Sequence, residues 1–127
     1  MSIGARGVDF VMINVSDIDR AVDFYENTLG LEKSIQWGDM PAWEFETGNL
    51  TLAVIDPRGF GQEASGPSPT TIALQVDDVA AARTELESKG VQFFADTIDS
   101  GVCHMAMFGD PDGNSFMLHH RYAPRES

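Results

Sequence analysis

The sequence predicts an α+β fold: tandem βαβββ modules forming a curved mixed-sheet cup, with the helices on its outer face. Three observations carry this expectation. One pattern occurs twice, strand-like alternation surrounds each copy, and acidic capping residues stand ahead of each helical run. The first copy is FVMINVSDIDRAVDFYENTLGL, Phe10 to Leu31, and the second is TIALQVDDVAAARTELESKGV, Thr71 to Val91. Val15 matches Val76 and Asp17 matches Asp78 at an offset of 61, whereas Gly30 matches Gly90 at 60. A repeat at fixed period marks one supersecondary unit used twice. The shorter last offset makes the second helix one residue shorter.

Each element has a local cause. The first strand alternates from Phe10 to Val15, with Phe10, Met12 and Asn14 on one side and Val11, Ile13 and Val15 on the other. Ser16 or Asp17 can then accept hydrogen bonds from the free N–H groups of a helix start. Ile18, Ala21, Val22, Tyr25 and Leu29 follow at helical spacing, and Gly30 ends the run. Three strands are expected next, at Glu32–Trp37, Ala42–Glu46 and Leu50–Ile55, separated by the turn signals GDMP and TGN.

The second module repeats this order. Thr71, Ala73 and Gln75 share one strand face, and Asp77 or Asp78 caps a helix carrying Val79, Ala82 and Leu86. Strands are expected at Val91–Phe94, Val102–Phe108 and Ser115–His120, the last two joined by the hairpin turn DPDGN. The expected organisation is a single domain over residues 1–127, with module 1 at about 8–56 and module 2 at about 71–122. Between them, at 57–70, lies a Pro-, Gly- and Ser-rich linker, read either as a spacer or as a mobile flap.

Composition limits the functions available. Hydrophobic residues form 43% of the chain and charged residues 22%, which is ordinary for a globular protein with a packed core. Eight Lys and Arg against 20 Asp and Glu give a net charge of −12, which repels nucleic acid and anionic membranes. No nucleic-acid or membrane partner is expected. The lone thiol, Cys103, fits a reducing compartment, and MSIGARG has no apolar signal core, so the expectation is a cytoplasmic protein.

With these motifs in place, the chain resembles the vicinal oxygen chelate superfamily, the group of glyoxalases, extradiol dioxygenases and bleomycin resistance proteins. NVSDIDRAVDFYENTLGL, QVDDVAAARTELESKGV and DPDGNSFMLH carry the resemblance, in the family order, across Val8 to Tyr122. It implies a small-molecule ligand and a homodimer, since relatives often pair their modules across chains. In metal-using relatives the ligands are a His five residues before the Val of each V-x-D and a Glu three residues after the Asn of the turn. Those positions here hold Phe10, Thr71 and Met117, and a further ligand would fall within Asn49 to Val54, where no carboxylate or imidazole occurs. Phenyl has no donor atom, thioether sulfur is soft, and one hydroxyl is weak alone. No metal ligand is assigned, and no cofactor is expected.

The histidines do not change this. Adjacent strand residues point to opposite faces, so His119 and His120 cannot chelate one ion together. If Met117 faces the cup, as the resemblance implies, His119 faces it too, as a hydrogen-bond donor or a candidate general base. The same parity separates Cys103 from His104 and puts Cys103, Met105 and Met107 on one face, expected to be the inner one. A Cys103–His119 pair across the cup is a weaker candidate. The ligand-binding set is then Phe10, Met12, Asn14, Trp43, Thr71, Gln75, Met105, Met117 and His119, with Trp37 an alternative flat surface to Trp43. Glu44 and Glu46 read either as solvated or as attracting a cation.

Three functions compete. The first is a metal-free binder of an apolar or aromatic compound. The second is a lyase, isomerase or dioxygenase of the superfamily working through non-standard residues such as His119. The third is a non-catalytic interaction domain whose cup is filled by its own side chains.

Overall fold

The computed structural model describes residues 2–64 and 66–124. The chain forms two compact units that divide at residues 65 and 66, inside the expected linker. Each unit is a four-stranded mixed sheet with one helical segment, so the α+β class and the tandem βαβββ order are observed.

In the first unit, β1 (Val11–Asn14) leads into α1 (Ile18–Asp23) and then β2 (Glu32–Gln36), β3 (Ala42–Glu46) and β4 (Thr51–Ile55). The spatial order is β1-β4-β3-β2, with β1 parallel to β4 and the other pairs antiparallel. Asp17, not Ser16, caps the helix, accepting from the Arg20 N–H at 3.1 Å. After Asp23 the helix widens into a π turn over Phe24–Thr28, where the Leu29 N–H reaches back five residues to the Phe24 carbonyl at 2.8 Å. A π turn absorbs one extra residue without ending the helix. It is where the residue behind the 61-to-60 offset is accommodated.

The sheet face under this helix holds the core of the unit. Ile13, Val15, Phe45, Leu52 and Val54 are buried there, and Tyr25 stands 5.5 Å from Phe45 between ring centroids. Full burial of each large apolar side chain contributes about 1.5–3 kcal/mol.

In the second unit, β5 (Thr71–Gln75), α2 (Val79–Ser88), β6 (Ile98–Asp99), β7 (Cys103–Gly109) and β8 (Ser115–Arg121) assemble in the order β5-β8-β7-β6. Asp78 caps α2, accepting from the Ala81 N–H at 3.0 Å. Gly30 and Gly90 both take positive φ, 73° and 89°, as residues just past a helix do. Phe108 and Phe116 stack at 5.7 Å beneath α2, with Leu118 and Ala106 buried alongside.

One expected strand is displaced. Val91–Phe94 does not form a ladder: only Phe93 bridges to Phe108, and the strand paired with β7 is Ile98–Asp99. The Val91 N–H is used in closing the helix end, on the Leu86 carbonyl at 3.0 Å, and so cannot join a sheet. Phe93 instead packs on Phe108 at 5.3 Å.

The linker is tied down at both ends. Asp56 caps a 3₁₀ turn over Pro57–Phe60 and takes the Arg58 guanidinium at 2.7 Å, while the same guanidinium also donates to the Ser16 carbonyl. At the other end the Ser68 N–H donates to Asn114 Oδ1 at 2.9 Å.

Candidate functional site

A helix covers one face of each sheet, and the other face is the candidate site. In the first unit the register fixes its rows. Asn14, Ile55 and Ala42 line up with Trp37, whose N–H donates to the Ala42 carbonyl at 3.0 Å. Met12, Ala53, Glu44 and Ile35 form the next row. Phe10 lies just ahead of β1, its ring 5.4 Å from that of Trp37. Phe10 and Met12 are 40% and 50% exposed, so this face carries large apolar side chains that the chain itself leaves uncovered.

Trp43 requires a correction. The sequence placed it with Phe10, but it pairs with Val54, which pairs with Ile13, so it belongs to the helix face. There Lys33 Nζ lies 4.5 Å above its ring. Trp37 takes the place on the open face, because β2 carries a bulge between Lys33 and Ile35. An extra residue in a strand turns everything after it to the opposite face. Ser34 is that residue, its hydroxyl anchored to Glu46 Oε2 at 2.7 Å and the Glu44 carbonyl at 3.2 Å.

Both glutamates of β3 lie on the open face. The Trp37 indole N–H donates to Glu44 Oε2 at 2.7 Å. Glu46 accepts from Thr51 and Ser34, and these bonds hold its carboxyl below the ordinary carboxylate range. Phe60 stands 6.3 Å from Trp37. It escaped the sequence reading because a four-residue turn has no periodicity; the Asp56-Pro57 pair was the only local sign of structure there.

In the second unit, Thr71 pairs with Ser115, Ala73 with Met117 and Gln75 with His119. Across β7 and β8, Met107 faces Met117, Met105 faces His119 and Cys103 faces Arg121. One face therefore holds Thr71, Gln75, Met105, Met107, Met117 and His119, the methionines and His119 being half-buried. Cys103 is on this face too, but it is buried and its Sγ contacts Arg121 Nη1 at 3.8 Å. His104 and His120 pair with each other on the helix face. His104 Nε2 lies 3.4 Å from Asp99 Oδ2, and its ring packs on Tyr122.

The donor chemistry of the positions that the resemblance gives to metal ligands follows from their side chains. These positions hold Phe10, Thr71 and Met117, and the β4 residues on the open face are Thr51, Ala53 and Ile55. These side chains do not fit a divalent cation. Among the described residues, no three His, Cys, Asp or Glu side chains gather as a metal-binding group.

The family model for the Glyoxalase/Bleomycin resistance protein/Dioxygenase superfamily matches residues 7–118. The chain belongs to that superfamily. Within the glyoxalase/bleomycin resistance/dioxygenase group, lactoylglutathione lyase of Escherichia coli O157:H7 is 27% identical over 118 residues, covering 84% of this chain and 87% of its own. A superfamily member from Sphaerobacter thermophilus superposes with a TM-score of 0.76 at 29% identity, covering 91% of this chain and 97% of that one. The antibiotic-binding protein TnmS3 of a Streptomyces species gives 0.77 at 26% identity, over 94% and 99% of the two chains. No helix among the described residues is long and apolar enough to cross a membrane.

Proposed function

We propose that the protein is a small-molecule binder of the glyoxalase/bleomycin resistance/dioxygenase type that works without the family metal and takes an apolar or aromatic compound on its open sheet faces. What supports this reading is that the positions the resemblance gives to metal ligands hold Phe10, Thr71 and Met117, with Phe10 and Met12 exposed on the first face and half-buried methionines on the second. Such faces suit flat or hydrophobic ligands, with Asn14, Gln75, Thr71 and His119 as sparse polar handles. The exposure of Phe10 and Met12 favours a ligand surface over a face filled by its own side chains. The likeness to an antibiotic-binding protein supports the same reading.

The test is equilibrium binding of a panel of planar aromatic compounds, followed by fluorescence, with and without a chelator. Saturable binding that the chelator leaves unchanged is expected. Binding lost on chelation, or no binding across the panel, overturns the proposal.

The alternative is an enzyme of the superfamily, and one observation favours it: His119 lies half-buried on the methionine face between Gln75 and Met105. An imidazole side chain can act as a general acid or base. If turnover of any compound from the panel is found, His119→Ala should abolish it while the fold survives; unchanged turnover removes the residue from that role. The reading also includes a homodimer, which a monomeric mass by light scattering would refute.

A further inference from the structure

We propose that the open face of the first unit selects a small organic cation of the alkylated-ammonium class. This rests on the reading of that face as a ligand surface and names what the ligand carries. Phe10 and Trp37 meet edge to face at 5.4 Å and 68°, and Trp37 and Phe60 at 6.3 Å and 85°. Trp37 stands at a steep angle to each phenylalanine ring, so the group offers π faces in more than one direction, as aromatic side chains that bind a cation do. Phe60 is held there by its turn: a side chain at Gly59 would collide with the Pro41 ring, so the turn lies directly against the residue that precedes β3.

Charge completes the site. Glu44 accepts the Trp37 indole N–H, which joins a carboxylate to the aromatic group and polarises the indole towards a more negative face. No Lys or Arg pairs with Glu44 among the described residues. The nearest strand lysine, Lys33, is turned to the helix face, where it pairs with Glu26 at 3.5 Å. Arg58 is engaged by Asp56. Glu46, in the following row, stays ionised through its bonds to Thr51 and Ser34. The face thus joins aromatic rings to carboxylates that carry no cationic partner, on a chain of net charge −12. An alkylated ammonium meets both halves: its methyl groups lose little hydration against the rings, and its charge answers Glu44.

The test compares (3-hydroxyphenyl)trimethylammonium with its neutral isostere, 3-tert-butylphenol, by following the two tryptophan indole N–H signals in a nitrogen-15 correlation spectrum. Trp43, on the opposite face, is the internal control for folding. The cation is expected to shift the Trp37 signal alone and to bind about tenfold more tightly than the phenol at low salt. Glu44→Gln keeps an acceptor for the indole and removes the charge, so the preference should fall to near unity with the Trp43 signal unmoved. Equal affinity for the two probes overturns the cation proposal while leaving the small-molecule reading intact. No shift of Trp37 by either probe overturns the proposal and removes this face from the small-molecule reading. A preference that persists in Glu44→Gln overturns the role given to the carboxylate, and with it the proposal.

Discussion

Asp110 and Asn114 lock the hairpin turn from both sides. Asp110 Oδ1 accepts the Asn114 backbone N–H at 2.8 Å, and the Asn114 side-chain amide donates to Asp110 Oδ2 at 2.9 Å. Both residues are buried, and Asn114 Oδ1 also receives the Ser68 N–H. This turn sets the register that brings Met107 opposite Met117. Asp110→Ala should therefore destabilise the protein by about 1–3 kcal/mol, through buried donors left without an acceptor. Urea unfolding measures it; a midpoint equal to that of the wild type would show that the turn holds without the carboxylate.

Phe45 and Phe10 should respond in opposite ways. Phe45 is fully buried against Tyr25, and Phe45→Ala is expected to cost about 3–5 kcal/mol. Phe10 is 40% exposed on the open face, so Phe10→Ser should cost about 1 kcal/mol or less. It should nonetheless weaken any ligand held by that face. A large stability loss from Phe10→Ser would mean that the face belongs to the core.

The Asp99–Tyr122 pair gives a pH dependence of known sign. The Tyr122 hydroxyl donates to Asp99 at 2.7 Å, holding the carboxyl below its ordinary range, with the Gly101 N–H adding to the effect. The same bond raises the phenol above its usual value. For Asp99 the stabilisation is present above the ordinary carboxylate range, near pH ~3.9, and is lost as pH falls through the lowered value. For Tyr122 it is present below about pH 10 and is lost as pH rises through the raised value. The difference between wild type and Tyr122→Phe in urea unfolding should be constant between about pH 5 and pH 9 and shrink at both ends. A difference that ignores pH would show that the bond does not form in solution.

Metal retention checks the donor argument directly. After incubation with zinc, nickel, manganese or iron(II) and desalting, elemental analysis should find well under one metal per chain. Retention near one per chain would overturn the reading of Phe10, Thr71 and Met117 and bring the enzyme alternative forward. His119 and His104 would then be the first residues to replace.

The sequence by itself determined the two modules, because local signals suffice for them. Capping aspartates, helical spacing and the DPDGN turn are properties of a few neighbouring residues, and the structure confirms Asp17, Asp78 and that turn in place. Strand parity was equally legible wherever a strand is regular: alternation grouped Phe10 with Met12 and Met117 with His119, while which face is the open one was only what the resemblance implied. Even the odd offset between the repeats was visible, although its form as a π turn at Phe24–Thr28 was not. What only the tertiary structure decided was which tryptophan joins Phe10. Alternation fails across the bulge at Ser34, where hydrogen bonds to Glu44 and Glu46 on the neighbouring strand hold the extra residue. Those partners are ten and twelve residues away in sequence. A face reversal held by such distant contacts leaves no periodic trace in the chain that undergoes it, and it carries Trp37 onto the open face beside Glu44 and leaves Trp43 beneath the helix.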